Sequence, residues 1–205
     1  MIWYWLIIAV GVLVLAALVR WHQSLLPLER GLIEVEWEET DELIPEGPDR
    51  VELAGEQVIV QCRDSSELNF SAVGTRVTPS ALAFVTVHGR RLLVLLDRGK
   101  RKWTNLVDVK RAGEKGELVD GLVGWWRHGT GHLVASDGMR LVEVHRCFGR
   151  DRIYIIDPAK ALQGHAFGVG LEVMMVAPCR QLGRVSLREN EIVVSAGRRA
   201  WKAKL

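Results

Sequence analysis

The run Ile2–Val19, IWYWLIIAVGVLVLAALV, constrains this chain more than any other stretch, because it holds no charged side chain. As a helix rising about 1.5 Å per residue it would reach roughly 27 Å, close to the hydrocarbon thickness of a bilayer. Trp3, Tyr4 and Trp5 mark one end and Trp21 the other. Amphipathic rings favour the headgroup level, so these residues read as membrane-interface anchors. A helix of a soluble core normally shows a polar face, and this run has none. A secretory signal needs a basic n-region and a small-residue cleavage site. Here the apolar run begins at residue 2 and is followed by Arg20, Trp21 and His22. The expectation is an uncleaved single-pass signal anchor over residues 1–22.

Orientation follows from the flanks. No Lys or Arg precedes the run, and Arg20 and Arg30 follow it. The positive-inside rule then predicts an N-terminus outside the cell membrane and a soluble domain in the cytoplasm. Cys62, Cys147 and Cys179 are odd in number, far apart and in no CxxC pattern. Three free thiols suit a reducing compartment.

Residues 23–50 read as an acidic linker. Leu25, Leu26, Leu28, Leu32 and Ile33 suggest a short interfacial helix, interrupted by Pro27. Residues 34–49 then carry eight acidic side chains and no basic one, so the rest of the chain holds +10 against a net +2. Such a segment is a solvated linker, or an arm that docks on a basic partner or folds back over the protein's own basic face.

From Val51 onward the pattern is mostly strand. EQVIVQC (56–62) alternates, and ALAFVTV (81–87) and RLLVLLD (91–97) flank a short turn containing Gly89. Further strand-like runs are RKWTNLVDVKR, GLVGWW, HLVAS, RLVEVHR, RIYIID and LEVMMVA, and a hairpin turns at Glu189-Asn190. PAKALQGHAF (158–167) is the candidate short helix, with Asp157 as N-cap and Pro158 at N1. Nucleotide-binding glycine patterns, βαβ alternation and internal repeats are not evident. The expected fold is mainly β, an antiparallel barrel or sandwich behind one N-terminal transmembrane helix. Residues 51–167 form the β domain, and 168–205 add strands and a basic tail.

His128 and His132 are the residues that most resemble chemistry. They would share a face only in a helix, and Gly129 and Gly131 between them oppose one. A hairpin turn is expected, with no metal and no cofactor assigned. His145 and Asp137 are near enough in sequence to join the two imidazoles across a turn. Cys147, two after His145, reads as a small buried hydrophobe. Trp125 and Trp126 are adjacent, so in a strand they face opposite sides.

Two basic clusters stand out: Arg98, Lys100, Arg101 and Lys102 ending at Trp103, and Arg198, Arg199, Lys202 and Lys204 around Trp201. Cations beside tryptophan suit an anionic membrane surface or another anionic partner, or serve as charged tips that keep strand edges soluble. Nucleic acid is disfavoured by the modest isoelectric point of about 8.5 and the sparse interleaving of basic and stacking residues.

The stretch GTRVTPSALAFVTVHGRRLLVLLDRGKRKWTNLVDVKRAG, with GHLVASDGMRLVEVH after it, resembles bacterial pleckstrin-homology-like domains. The matching residues are Val77, Thr78, Trp103, Leu106, Asp108, Val109, Asp137, Gly138 and Leu141. The resemblance covers about half of the soluble part and implies a binding scaffold without a defined site residue. Together these readings predict a membrane-anchored, non-catalytic binding or scaffold domain. Its expected role is an accessory or assembly component of a membrane protein complex, with the bilayer, other membrane subunits or anionic headgroups as partners. The alternative is a membrane-tethered hydrolytic enzyme with a site near His128, His132 and His145.

Overall fold

The computed structural model describes residues 2–29, 32–42, 44, 50–54, 57–62, 67–71, 79–97, 103–127, 130–147, 149–164 and 170–205. Helix α1 covers Ile2–Glu29 and continues past Pro27. Trp3, Tyr4, Trp5 and the apolar side chains from Ile7 to Leu18 are exposed. Among the described residues no helix is long and apolar enough to cross a membrane. The described side chains of α1 are those of residues 3–5 and 7–18, a shorter stretch than the run 2–19 on which the anchor expectation rests.

The remainder is mainly β, as its alternating apolar pattern requires. Strands β1 (Glu38–Thr40), β2 (Arg50–Ala54), β3 (Gln57–Gln61) and β4 (Glu67–Ser71) are followed by β5 (Pro79–Val87), β6 (Arg90–Asp97) and β7 (Trp103–Asp108). Helix α2 (Val109–Lys115) precedes β8 (Leu122–Arg127). Then come β9 (Gly131–Ser136), β10 (Leu141–His145), β11 (Arg152–Ile156), helix α3 (Pro158–Gly164) and β12 (Leu171–Val176). Strands β13 (Arg184–Arg188), β14 (Glu191–Ala196) and β15 (Arg199–Lys204) end the chain.

These strands form four antiparallel sheets, ordered β2-β3-β4, β5-β6-β7-β8, β9-β10-β11-β12 and β13-β14-β15-β1. None closes into a barrel, which corrects that branch of the expected fold. Closure needs a staggered pairing of first and last strands, and each of these sheets instead buries a face on the next. Val58, Phe70, Leu93 and Val107 form the first inter-sheet core. Leu92, Val94, Trp126, Leu141 and Tyr154 form the second. Val142, Val144, Ile155, Leu187, Val194 and Trp201 form the third. The two middle sheets are apolar on both faces, and so β6 reads Leu92-Leu93-Val94-Leu95-Leu96 without a polar break.

The middle sheets repeat one plan: three strands, a seven-residue helix and an outer strand. Asp108 and Asp157 open the two helices, their carboxylates accepting from the N–H of Arg111 and from those of Ala159 and Lys160. Ala112 and Ala161 are buried on the helices. Gly121 and Gly170 precede the outer strands so closely that an added Cβ would lie 2.6 Å from Ala112 Cβ in one case and from Ala161 Cβ in the other. All three pairs are 49 residues apart. The expectation of no internal repeat is therefore corrected: D-x3-A-x8-G-L occurs twice, and only glycine lets the outer strand pass this close to the helix.

In the fourth sheet the chain uses its own N-terminal segment as the outer strand. Ile33 N donates to Met174 O at 2.8 Å, Trp37 Nε1 to Val176 O at 3.0 Å, and Glu38–Thr40 pair with Ala200–Lys202 of β15. Val35 and Trp37 pack against the third core. The acidic stretch at 32–42 is thus a strap that covers two sheet edges. Its carboxylates meet the chain's own cations, Glu39 with Arg199 at 2.8 Å and Glu42 with Arg188. Of the readings for this stretch, the fold-back arm is the one seen.

Candidate functional site

The polar residues with the most specific environment lie between the second and third sheets. Glu143 alternates into an otherwise apolar interface from β10 and is 0% exposed. A buried carboxylate is tolerated only with donors around it, and three are in place. Thr104 Oγ1 and Trp126 Nε1 donate to its Oε1 at 2.8 and 3.0 Å. His145 Nε2 lies 3.0 Å from its Oε2, and the tautomer protonated there donates. The His145 ring packs on Tyr154 with centroids 4.4 Å apart. Arg152 hydrogen-bonds the tyrosine hydroxyl.

His132 sits at the same end of this sheet. β9 bulges there, since Leu133 faces Val144 while Gly131 faces His145, and bulges re-aim side chains. His132 Nε2 lies 3.2 Å from Leu182 O and 3.8 Å from Asp151 Oδ2. Asp151 Oδ2 also accepts from Leu182 N at 2.8 Å. His132 Nδ1 and Arg152 Nη1 are buried without a hydrogen-bond partner. Among the described residues no three of His, Cys, Asp and Glu gather as a metal-holding group.

Burial shapes the titration of this cluster. Desolvation lowers His132 below its ordinary 6.5, against the opposing pull of Leu182 O and Asp151. The unfolded imidazole takes up a proton near 6.5 and the folded one resists, so this contribution is present above that pH and lost as pH falls below it. Burial, with Cys147 acting in the same sense, pushes Tyr154 up to about 12. The unfolded phenol loses its proton near 10, so stability falls as pH rises from 10 toward 12. A rise from 10 to about 12 corresponds to about 3 kcal/mol. Tyr154→Phe should remove the tyrosine's share of the alkaline loss, seen as a shallower fall of the urea midpoint between pH 9.5 and 11.5 than in the parent, with the raised thiols of Cys147 and Cys179 accounting for part of the remainder.

The sequence-derived contact residues divide. Arg98, Lys100, Arg101, Lys102 and His128 lie outside the described residues. Trp103 is half-buried and stacked on Trp125, with centroids 5.7 Å apart. Trp126 is in the core and Trp125 is 44% exposed, the opposite facing expected of adjacent residues in a strand. The turn expected at 129–131 is not a hairpin, because β8 and β9 belong to different sheets. Arg198 is exposed, Arg199 pairs with Glu39 and Lys202 lies opposite Glu38. Trp201 is buried in the third core with the Arg199 guanidinium 5.0 Å above its ring. The C-terminal cluster therefore lies on strand β15 beside the acidic strap, with Arg198 and Arg199 exposed and Trp201 in the core.

Trp3, Tyr4 and Trp5 are exposed on α1; Trp21 lies on the same helix, its side chain outside the description. Cys62, Cys147 and Cys179 are unpaired, and burial pushes the thiols of Cys147 and Cys179 up, away from thiolate chemistry. Sequence reasoning missed Glu143, Thr104 and Tyr154. Their signal was a lone carboxylate inside an apolar strand, LVEVH. Comparison with protein-family models and with curated protein sequences gives no match.

Proposed function

We propose that this chain is a membrane-anchored, non-catalytic binding module, an accessory or assembly component of a membrane protein complex, with its β domain in the cytoplasm. The observation that carries the reading is continuity. Helix α1 presents apolar side chains on every side, a pattern suited to a bilayer or a partner helix. Three residues after its end, Leu32 and Ile33 are already bonded to β12. A domain joined this tightly to its helix transmits position and contact from one to the other. The likeness of residues 74–145 to bacterial pleckstrin-homology-like domains also favours recognition over catalysis.

The test is extraction of the full-length protein in mild detergent and native gel separation, with co-migrating bands identified. A defined set of membrane subunits is the expected result; a lone monomer with no cross-linked partner in cells would refute it. The hydrolase reading draws on the Glu143–His145 pair and on Asp151 beside His132. Stoichiometric zinc in the purified protein, or a hydrolytic activity lost in a folded His132→Ala variant, would favour it instead.

A further inference from the structure

The repeated plan of the middle sheets gives an internal control for surface charge. In the first unit a groove of about 670 Å3 lies between the β5–β6 hairpin and α2, and Arg90, Arg91, Lys110 and Arg111 line it with Asp108 and Glu114. In the second unit the positions 49 residues later hold Met139, Arg140, Ala159 and Lys160. There the cations are neutralised: Arg140 pairs with Asp137 at 2.9 Å, and Lys160 lies 3.2 Å from both Asp157 and Glu172. In the first unit none of the four cations has an ion-pair partner among the described residues, and Arg91 lies 4.2 Å over the Phe84 ring. One scaffold thus carries two cations held by three carboxylates in the second unit, and a groove with four cations against two carboxylates in the first.

The end of the molecule on which this groove lies follows from the chain's path. The strap runs parallel to β12, from Leu32 beside Met174 to Trp37 beside Val176. Leu171 lies opposite Ile156, Ile156 opposite Leu141, and Leu141 follows the Asp137–Arg140 turn. Thr86 N donates to Gly138 O at 2.7 Å, which puts the His88–Gly89 turn at the same end. Leu92 faces Asp108, so the start of α2 is there as well. Leu32 is only three positions after Glu29, a reach of roughly 10 Å. The four cations, without ion-pair partners among the described residues, and Met139, 76% exposed, share the end of the sheets at which Leu171 lies.

We propose that the groove between the β5–β6 hairpin and α2 docks on anionic phospholipid headgroups of the bilayer that holds α1, with Met139 reaching the interface beside it. This rests on the anchor reading above. Cations near an anionic leaflet are drawn to it, and a cluster without ion-pair partners among the described residues gains most.

The test uses the full chain in bilayer discs of phosphatidylcholine alone or of an equimolar mixture with phosphatidylglycerol. Hydrogen exchange is followed at 86–91 and 108–114. The expected result is slowing by roughly tenfold in the anionic discs, reversed by high salt and by Arg90→Glu with Lys110→Glu and Arg111→Glu. Exchange at β10 and β11 in that variant reports whether it stays folded; should it unfold, the salt reversal in the parent chain decides. A chain that enters discs but exchanges equally in both overturns the docking proposal alone. A chain that fails to enter discs overturns the anchor reading with it. Equal slowing by inorganic phosphate in neutral discs would assign the groove to a soluble anion and also overturn the proposal.

Discussion

Glu143→Ala should destabilise the folded chain by about 4 kcal/mol, because it removes one partner of a buried network and leaves the others in place. Thr104 Oγ1, Trp126 Nε1 and His145 Nε2 all address this carboxylate. Each donor left without an acceptor in a dry interface costs about 1–3 kcal/mol, and the missing side-chain volume adds a cavity cost. For a domain of this size that loss lowers Tm by roughly 8–16 °C. Glu143→Gln should cost far less. Its amide oxygen still accepts from Thr104 and Trp126, and His145 changes tautomer to accept from the amide nitrogen. Thermal unfolding of the detergent-solubilised full chain distinguishes these results. An alanine variant as stable as the glutamine variant would show that the network contributes little.

Trp37→Ala should be the next most damaging single change, at about 3 kcal/mol. It deletes an indole that packs against the third core and donates to Val176 O. The strap pairs with β15 through only three residues, and exposed pairs such as Glu39–Arg199 add little. With the indole gone, 32–42 should become the first site of limited proteolysis, uncovering the edge of β15 and promoting association between copies. Glu39→Ala should leave both the proteolysis pattern and the unfolding midpoint unchanged. Equal sensitivity of the two variants would mean that charge, not the indole, holds the strap.

The acid limb offers a separate check on the buried cluster. Lowering pH from 7.5 to 5.5 should reduce the urea midpoint, since unfolding lets His132 take up a proton that the folded environment disfavours. His132→Gln should flatten this dependence. A parent midpoint that rises on acidification would contradict the assigned direction.

Local pattern accounts for much of what was legible. Alternation and short apolar runs located β3, β5, β6 and β9 to β14, and Asp157 before Pro158 located α3 within a few residues. Asp108 has the same N-cap role, yet VDVKR was read as continued strand, because Val109 and Lys110 alternate as a strand would. The segment is a helix capped by Asp108 at its start and by left-handed Gly116 at its end, with Ala112 packed against Gly121. The paired D-x3-A-x8-G-L spacing was present in the sequence and would have revealed the repeat.

By itself the sequence determined the β class, the apolar N-terminal run, the turns at 88–90, 137–138 and 189–190 and the opposite facing of Trp125 and Trp126, since each depends on neighbours a few residues apart. Tertiary structure alone decided that the strands form four stacked sheets instead of a barrel. It also decided that the acidic stretch at 32–42 is an outer strand, and that Glu143 gathers Thr104, Trp126 and His145 from three strands. Apart from the Glu143–His145 pair, which lies two residues apart on β10, those outcomes rest on contacts between residues 17 to 164 positions apart. At such distances neither side-chain period nor local propensity carries information about the partner; only the shape and charge of the assembled faces do.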